Sequence, residues 1–194
     1  MIDKLMRDPA MGAQRESLLA QAEGNILEIG VGSGLNLRYY TDKATKVSGI
    51  DPVLEFNAKA QERADKCICP VDLIPGSAED LPFADGEFDT VVTTWTLCTI
   101  PDAPKALREM RRVLKDGGKL LFVEHGYSDN PGTAKWQNRI NPVWKCFAGG
   151  CNLNRKMDEM VKDAGFAIGD LETMVLDISP KIAAFTYRGV AGRG

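Results

Sequence analysis

Three glycines at alternate positions, Gly30, Gly32 and Gly34, lie at and just beyond the end of the strand-like run Asn25-Ile26-Leu27-Glu28-Ile29. Glycine opens backbone conformations closed to other residues and lets a ligand approach the main chain. A helix start just beyond such a turn would offer free N–H groups to that ligand. Asp51 stands 17 residues after Gly34, at the end of a second apolar run, where a carboxylate can accept both hydroxyls of a ribose. The two features together point to a ligand that contains adenosine. The glycine spacing is one residue short of the dinucleotide pattern G-x-G-x-x-G, with Leu35 where the third glycine would stand. No Gly-Lys-Ser/Thr follows, which excludes a triphosphate loop.

A second set of reactive side chains clusters at two further strand ends. Cys98 and Thr99 follow one apolar run, and Glu124 and His125 end another. His125 can take a proton near neutral pH, either as a base or as a hydrogen-bonded structural group. Cys98 reads as a catalytic candidate or as a small buried thiol lining a pocket. No metal site is expected: the single histidine disfavours a His-based site. A quartet of Cys67, Cys69, Cys146 and Cys151 would begin with only one residue between its first two ligands.

These residues need strands that end on a common edge. Short apolar runs alternate with helical periodicity, the pattern of an α/β domain with a largely parallel sheet. Strands are predicted at 25–30, 46–51, 71–75, 88–94, 119–124, 168–176 and 182–190. Residues 53–66 read as a helix. A second helix starts at the N-cap Asp102 with Leu107, Met110 and Leu114 on one face, and Gly117-Gly118 is expected to stop it. Residues 155–164 read as another helix, with Asn154 before it. Residues 126–154 interrupt the alternation with turn residues, Trp136, Trp144 and Phe147, and are predicted to form a substrate lid.

The chain has 194 residues, about one domain's length, so residues 1–194 read as a single domain carrying that one insertion. Hydrophobic residues make up 44% and charged residues 26%, which excludes a disordered or fibrous chain. The net charge of −3 offers no excess of cations for phosphates, so no nucleic-acid partner is expected. Residues 1–21 are mixed in charge and lack an apolar export segment, and no run reaches the ~18 apolar residues of a membrane span. The expectation is a cytoplasmic chain with no integral membrane segment and five reduced cysteines. The oligomeric state is not legible.

Residues 27–34 (LEIGVGSG) resemble motif I of the class I S-adenosylmethionine (SAM)-dependent methyltransferases, and Gly49-Ile50-Asp51-Pro52 resembles motif II. Residues 76–83 (GSAEDLPF) are similar to the stretch that lies against adenine, 88–92 (FDTVV) to motif IV, and 112–120 (RVLKDGGKL) to the segment entering the fifth strand. The resemblance spans about residues 25–125. It implies a Rossmann-like, doubly wound, seven-stranded sheet, mostly parallel with the last strand antiparallel and with helices on both faces. It implies SAM as the cofactor, held by Glu28, Gly30, Gly32, Gly34, Asp51 and Pro52, with Ala78 and Glu79 at the adenine and Thr94 and Trp95 beside the methionyl part. For Trp95, core packing is an equal reading. Residues 96–100 (TLCTI), 124–126 (EHG) and 149–155 (GGCNLNR) further resemble the microsomal thiol S-methyltransferases, though without their apolar amino-terminal anchor. That implies a small-molecule acceptor, a thiol or related nucleophile, with His125 and Cys98 as the catalytic candidates. Methyl transfer to carbon, oxygen or nitrogen of a quinone or lipid, or a non-catalytic SAM-binding module, are the alternatives.

Overall fold

The computed structural model describes residues 6–53 and 57–194, with the side chain of Asn57 left aside. Seven strands form one sheet: β1 Gly24–Ile29, β2 Ala44–Asp51, β3 Val71–Pro75, β4 Phe88–Thr94, β5 Leu114–His125, β6 Ala167–Val175 and β7 Phe185–Gly192. Their order is β3-β2-β1-β4-β5-β7-β6. Only β7 runs antiparallel to its neighbours, so the expected sheet is the observed one. The strand order reverses between β1 and β4, and ligands of doubly wound sheets settle in the crevice at that switch point.

Alternation along the central strands sorts their side chains onto two faces. Leu27, Ile29, Val91, Leu120 and Phe122 pack under helices α3 (Ala103–Val113) and α5 (Met157–Asp163). Ile26, Val92, Leu121 and Val123 pack on the opposite face beneath Leu18 and Leu19 of helix α1 (Pro9–Leu19) and Leu37 and Tyr40 of the short 3-10 turn region. Glu28 falls on this second face by the same period of two, and it is 1% exposed. Helix α1 is not among the predicted elements; the Asp8 side chain caps it, accepting from the N–H of Ala10 at 2.8 Å, and it buries Met11, Arg15, Leu18 and Leu19.

Five expectations need correction. The helix after β4 stops at Val113, not at the glycine pair. The N–H of Gly86 bonds the Arg112 carbonyl and that of Glu87 bonds Val113, while Leu114 already pairs with Phe88. A register shift then pushes the next few residues outward, so Gly117-Gly118 lies inside β5. The stretch 126–154 is not a loop but carries a 17-residue helix, α4, over Pro131–Phe147. The Asn130-Pro131-Gly132 turn signal is its cap: the Asn130 side chain accepts from the N–H groups of Gly132 and Thr133, and proline occupies the first turn. Strand β7 begins at Phe185, because residues Lys181–Ala183 form a 3-10 turn. Helix α5 begins after Lys156, two residues later than expected, and the Asn154 side chain makes no cap but donates to Asn138 at 2.9 Å. Of the predicted helix 53–66, Asn57–Ala64 is helical, here α2, and residues 54–56 lie outside the described residues.

Candidate active site

The glycine turn leaves β1 with three left-handed glycines, Gly30 (φ 71°), Gly32 (φ 51°) and Gly34 (φ 77°). Two of them have distinct reasons to be glycine. A Cβ on Gly30 would sit 2.4 Å from the Thr96 side chain, so this position lets the β1 and β4 ends touch. A Cβ on Gly32 would meet nothing nearer than 3.9 Å, so its main chain stays open to a ligand. Asp51 closes the turn from β2. One carboxylate oxygen accepts from the N–H of Gly32 at 3.0 Å and the other from Val53 at 2.9 Å. Each oxygen keeps a second lone pair for a ligand hydroxyl.

Two recesses meet on Gly30 and Thr96. The larger, about 350 Å³, is lined by Ile50, Asp51, Pro52, Ser77, Ala78 and Glu79 on one side and by Thr99, Ile100 and Gly149 on the other. The smaller, about 110 Å³, is bounded by Arg15, Glu28, Gly32, Asn36, Thr94 and Trp95. The larger alone falls within the usual ~300–1,000 Å³ of small-molecule sites. Every residue that the SAM resemblance implied for the cofactor borders this double recess, except Gly34. That glycine instead packs behind the turn, against Leu37 and Ala60.

A polar chain that sequence reasoning missed organises the smaller recess. Asn36 donates to Glu28 at 3.1 Å and to Thr94 at 3.1 Å, and accepts from Arg15 Nε at 3.0 Å. Tyr40 donates to the other Glu28 oxygen at 2.7 Å. Burial nevertheless dominates these donors and pushes the Glu28 carboxyl up to about 7. The Arg15 guanidinium lies 4.7 Å over the Trp95 ring. Trp95 is the one non-glycine residue at positive φ (49°) among the described residues. Backbone strain of this kind costs of order 1–3 kcal/mol and collects at functional sites. Its cause is visible: buried Glu124 accepts from Thr93 Oγ1, the Thr96 N–H and the Leu97 N–H at 2.8, 2.9 and 3.1 Å, pinning the turn. The Trp95 Nε1 is buried with no hydrogen-bond partner among the described residues.

At the far end, Cys98, His125 and Cys151 come together, their ligand-type atoms all within 4.8 Å of one another. His125 Nε2 is 2.9 Å from Cys151 Sγ, and Cys98 Sγ is 3.4 Å from Thr99 Oγ1, which belongs to the wall of the larger recess. Cys98 itself is buried behind that wall. Asn152 ties the two cysteine loops together by donating its N–H and side-chain amide to the Cys98 carbonyl at 2.8 and 3.0 Å. The sequence quartet Cys67, Cys69, Cys146 and Cys151 does not assemble. Cys67 and Cys69 pair with each other at 3.9 Å, Cys146 is exposed, and Cys151 belongs to His125. Sequence spacing held no signal for Cys98 meeting Cys151, because their contact depends on where α4 ends.

The sequence over residues 27–122 matches the family described as a methyltransferase domain. A thiol S-methyltransferase of Rattus norvegicus is 34% identical over 155 residues, 77% of this chain and 63% of that protein. A phosphatidylethanolamine N-methyltransferase of Cereibacter sphaeroides is 38% identical over 104 residues, 53% of this chain and 51% of that protein. In fold, a geranyl diphosphate methyltransferase solved in complex with SAM superposes with a TM-score of 0.75 at 17% identity, covering 95% of this chain and 86% of that one. The chain belongs to the SAM-dependent methyltransferases. It spans less than two thirds of the length of the two curated relatives just named. Among the described residues no helix is long and apolar enough to cross a membrane.

Proposed function

We propose that this chain is a methyltransferase that uses SAM to methylate a small-molecule acceptor, a thiol or related sulfur or chalcogen nucleophile, in the cytoplasm. Bound SAM supplies an electrophilic methyl group on a sulfonium. On this reading Asp51 accepts the ribose hydroxyls, Ala78 and Glu79 border the adenine, and the Gly30–Gly32 main chain with Thr94 and Trp95 holds the methionyl end. The orphaned Trp95 Nε1 and the open face of Gly32 support that placement. Displacement at a sulfonium demands alignment and exclusion of water more than bond-making by the protein. Cys98 and His125 are the catalytic residues proposed, at the acceptor end.

The observation that carries the acceptor class is the thiol–imidazole group beside Thr99, soft side chains set where a soft nucleophile would arrive. A free thiol, with a pKa near ~8.5, is partly ionised at pH 7 and needs little help to react. A second acceptor class, a quinone or lipid, has its own support. Trp136, Val143 and Phe147 lie exposed along α4, which runs down to Gly149 at the recess.

The test is release of S-adenosylhomocysteine with a panel of thiols, quinols and amines. Turnover on thiols is expected. SAM binding without turnover on any class would leave a SAM-binding module and refute the enzyme. Asp51→Ala removes two hydrogen bonds to a charged acceptor, each worth about 1.5 kcal/mol, so SAM affinity should fall about a hundredfold by calorimetry. Unchanged affinity would refute the cofactor placement.

A further inference from the structure

We propose that Cys98 Sγ, Cys151 Sγ and His125 Nε2 form a site for one thiolate-seeking divalent ion of zinc's kind, with the acceptor's sulfur as its fourth ligand. The second half of this statement rests on the thiol reading above.

Two sulfurs and one imidazole nitrogen converge from three separate segments: the turn after β4, the end of β5 and the loop after α4. All three residues are more than nine-tenths buried, at 2%, 7% and 8% exposure for Cys98, His125 and Cys151. Zinc bonds of ~2.3 Å to sulfur and ~2.0 Å to nitrogen at tetrahedral angles set ligand atoms roughly 3.5–3.8 Å apart. The present spacing, from 2.9 Å to no more than 4.8 Å, brackets that separation. Among the described residues no carboxylate shares the trio, so the donor set is soft and selects a thiophilic ion over magnesium or calcium.

The surroundings suit sulfur ligands. Trp144 Nε1 donates to Cys151 Sγ at 3.3 Å, and Thr99 Oγ1 lies at 3.4 Å from Cys98 Sγ. Hydrogen bonds of this kind orient ligands and tune a metal. The Arg155 guanidinium, anchored by the carbonyls of Leu97 and Pro101, lies within electrostatic reach of both sulfurs. Asn152 holds the two cysteine loops in register without using either thiol. The protein contributes three ligands, the number that leaves a catalytic zinc one open position. A thiol acceptor entering along Thr99 would bind there as its thiolate, its proton passing to solvent. His125 then acts as a ligand, and no separate base is required.

Cobalt(II) substitution tests the site independently of activity. Chain purified under reducing conditions without chelator should bind one cobalt ion with a near-ultraviolet thiolate-to-cobalt band and the intense visible bands of a four-coordinate ion. Cys98→Ser and Cys151→Ser should each abolish the charge-transfer band or cut it by about half. His125→Gln should shift the visible bands. Melting curves without zinc guard against misfolded variants, and with zinc the parent should gain more stability than any of the three. A small thiol should shift the cobalt spectrum. No cobalt uptake overturns the proposal, as does a band that survives both serine variants or vanishes in Cys67→Ser instead. A loaded spectrum that thiols leave unmoved overturns the fourth-ligand assignment. Full thiol methylation by the metal-free chain would overturn the fourth-ligand assignment and leave the thiol reading standing. A thiol-responsive cobalt site in a chain that methylates no thiol would confirm the ion site and defeat only the thiol reading.

Discussion

Glu28→Gln isolates the electrostatic cost built into the smaller recess. Glu28 sits in the middle of the sheet, on the face that α1 and the 3-10 turn seal from water, so its carboxyl is pushed from the ordinary 4.5 up to about 7. Tyr40, Asn36 and Arg15 pull the other way but do not offset burial. Because the folded value lies above the unfolded one, the folded state holds an extra proton between pH 4.5 and 7. Stability is therefore greatest below that window and falls as pH rises through it, levelling off above 7. At ~1.4 kcal/mol per pH unit the loss across the window is about 3 kcal/mol, a large share of the ~5–15 kcal/mol that holds a typical domain. Glutamine has the same shape, still accepts from Tyr40, and does not titrate. Urea denaturation of the parent and the variant at intervals from acid to mildly alkaline pH gives the difference directly, since all other groups cancel. The parent should lose about 3 kcal/mol relative to Glu28→Gln between those limits. Parallel curves would show that Glu28 is ionised throughout and that its three partners outweigh burial.

The two working glycines should fail differently. Gly30→Ala drives a Cβ to 2.4 Å from Thr96 at φ 71° and should cost about 2–4 kcal/mol of stability in denaturant melts. Gly32→Ala has open space and should cost about 1 kcal/mol, yet weaken SAM binding more than its stability loss explains. Gln137→Leu strands the carbonyls of Gly126 and Ile182 and the N–H of Ser128, all now bonded at 2.8–3.0 Å, so about 3 kcal/mol or more should be lost. Native-state hydrogen exchange should then quicken at Ser128, while Asp51 and the glycine turn keep their SAM affinity.

Local chemistry determined much of this protein before any coordinates. Alternating apolar runs with turn punctuation set the order of strands, and the Gly30–Gly34 turn with Asp51 marked the switch point, because backbone freedom and hydrogen-bond capacity are properties of residues and short spacings. The Asp8-Pro9 cap and the Asn130-Pro131 cap are equally local, yet the first went unread and the second resembled a turn until α4 showed it starting a helix. The end of α3 was decided by tertiary pairing: Leu114 joins Phe88 across β4, and that ladder outweighs the helix-stopping preference of Gly117-Gly118. Burial was likewise a tertiary matter. Nothing in a run of apolar residues around one glutamate says that Arg15, Asn36 and Tyr40 will close over it. The strained Trp95 and the meeting of Cys98, His125 and Cys151 come from segments up to 53 residues apart in the chain, from Cys98 to Cys151. Such contacts depend on where whole strands and a helix end in space, which sequence spacing does not encode.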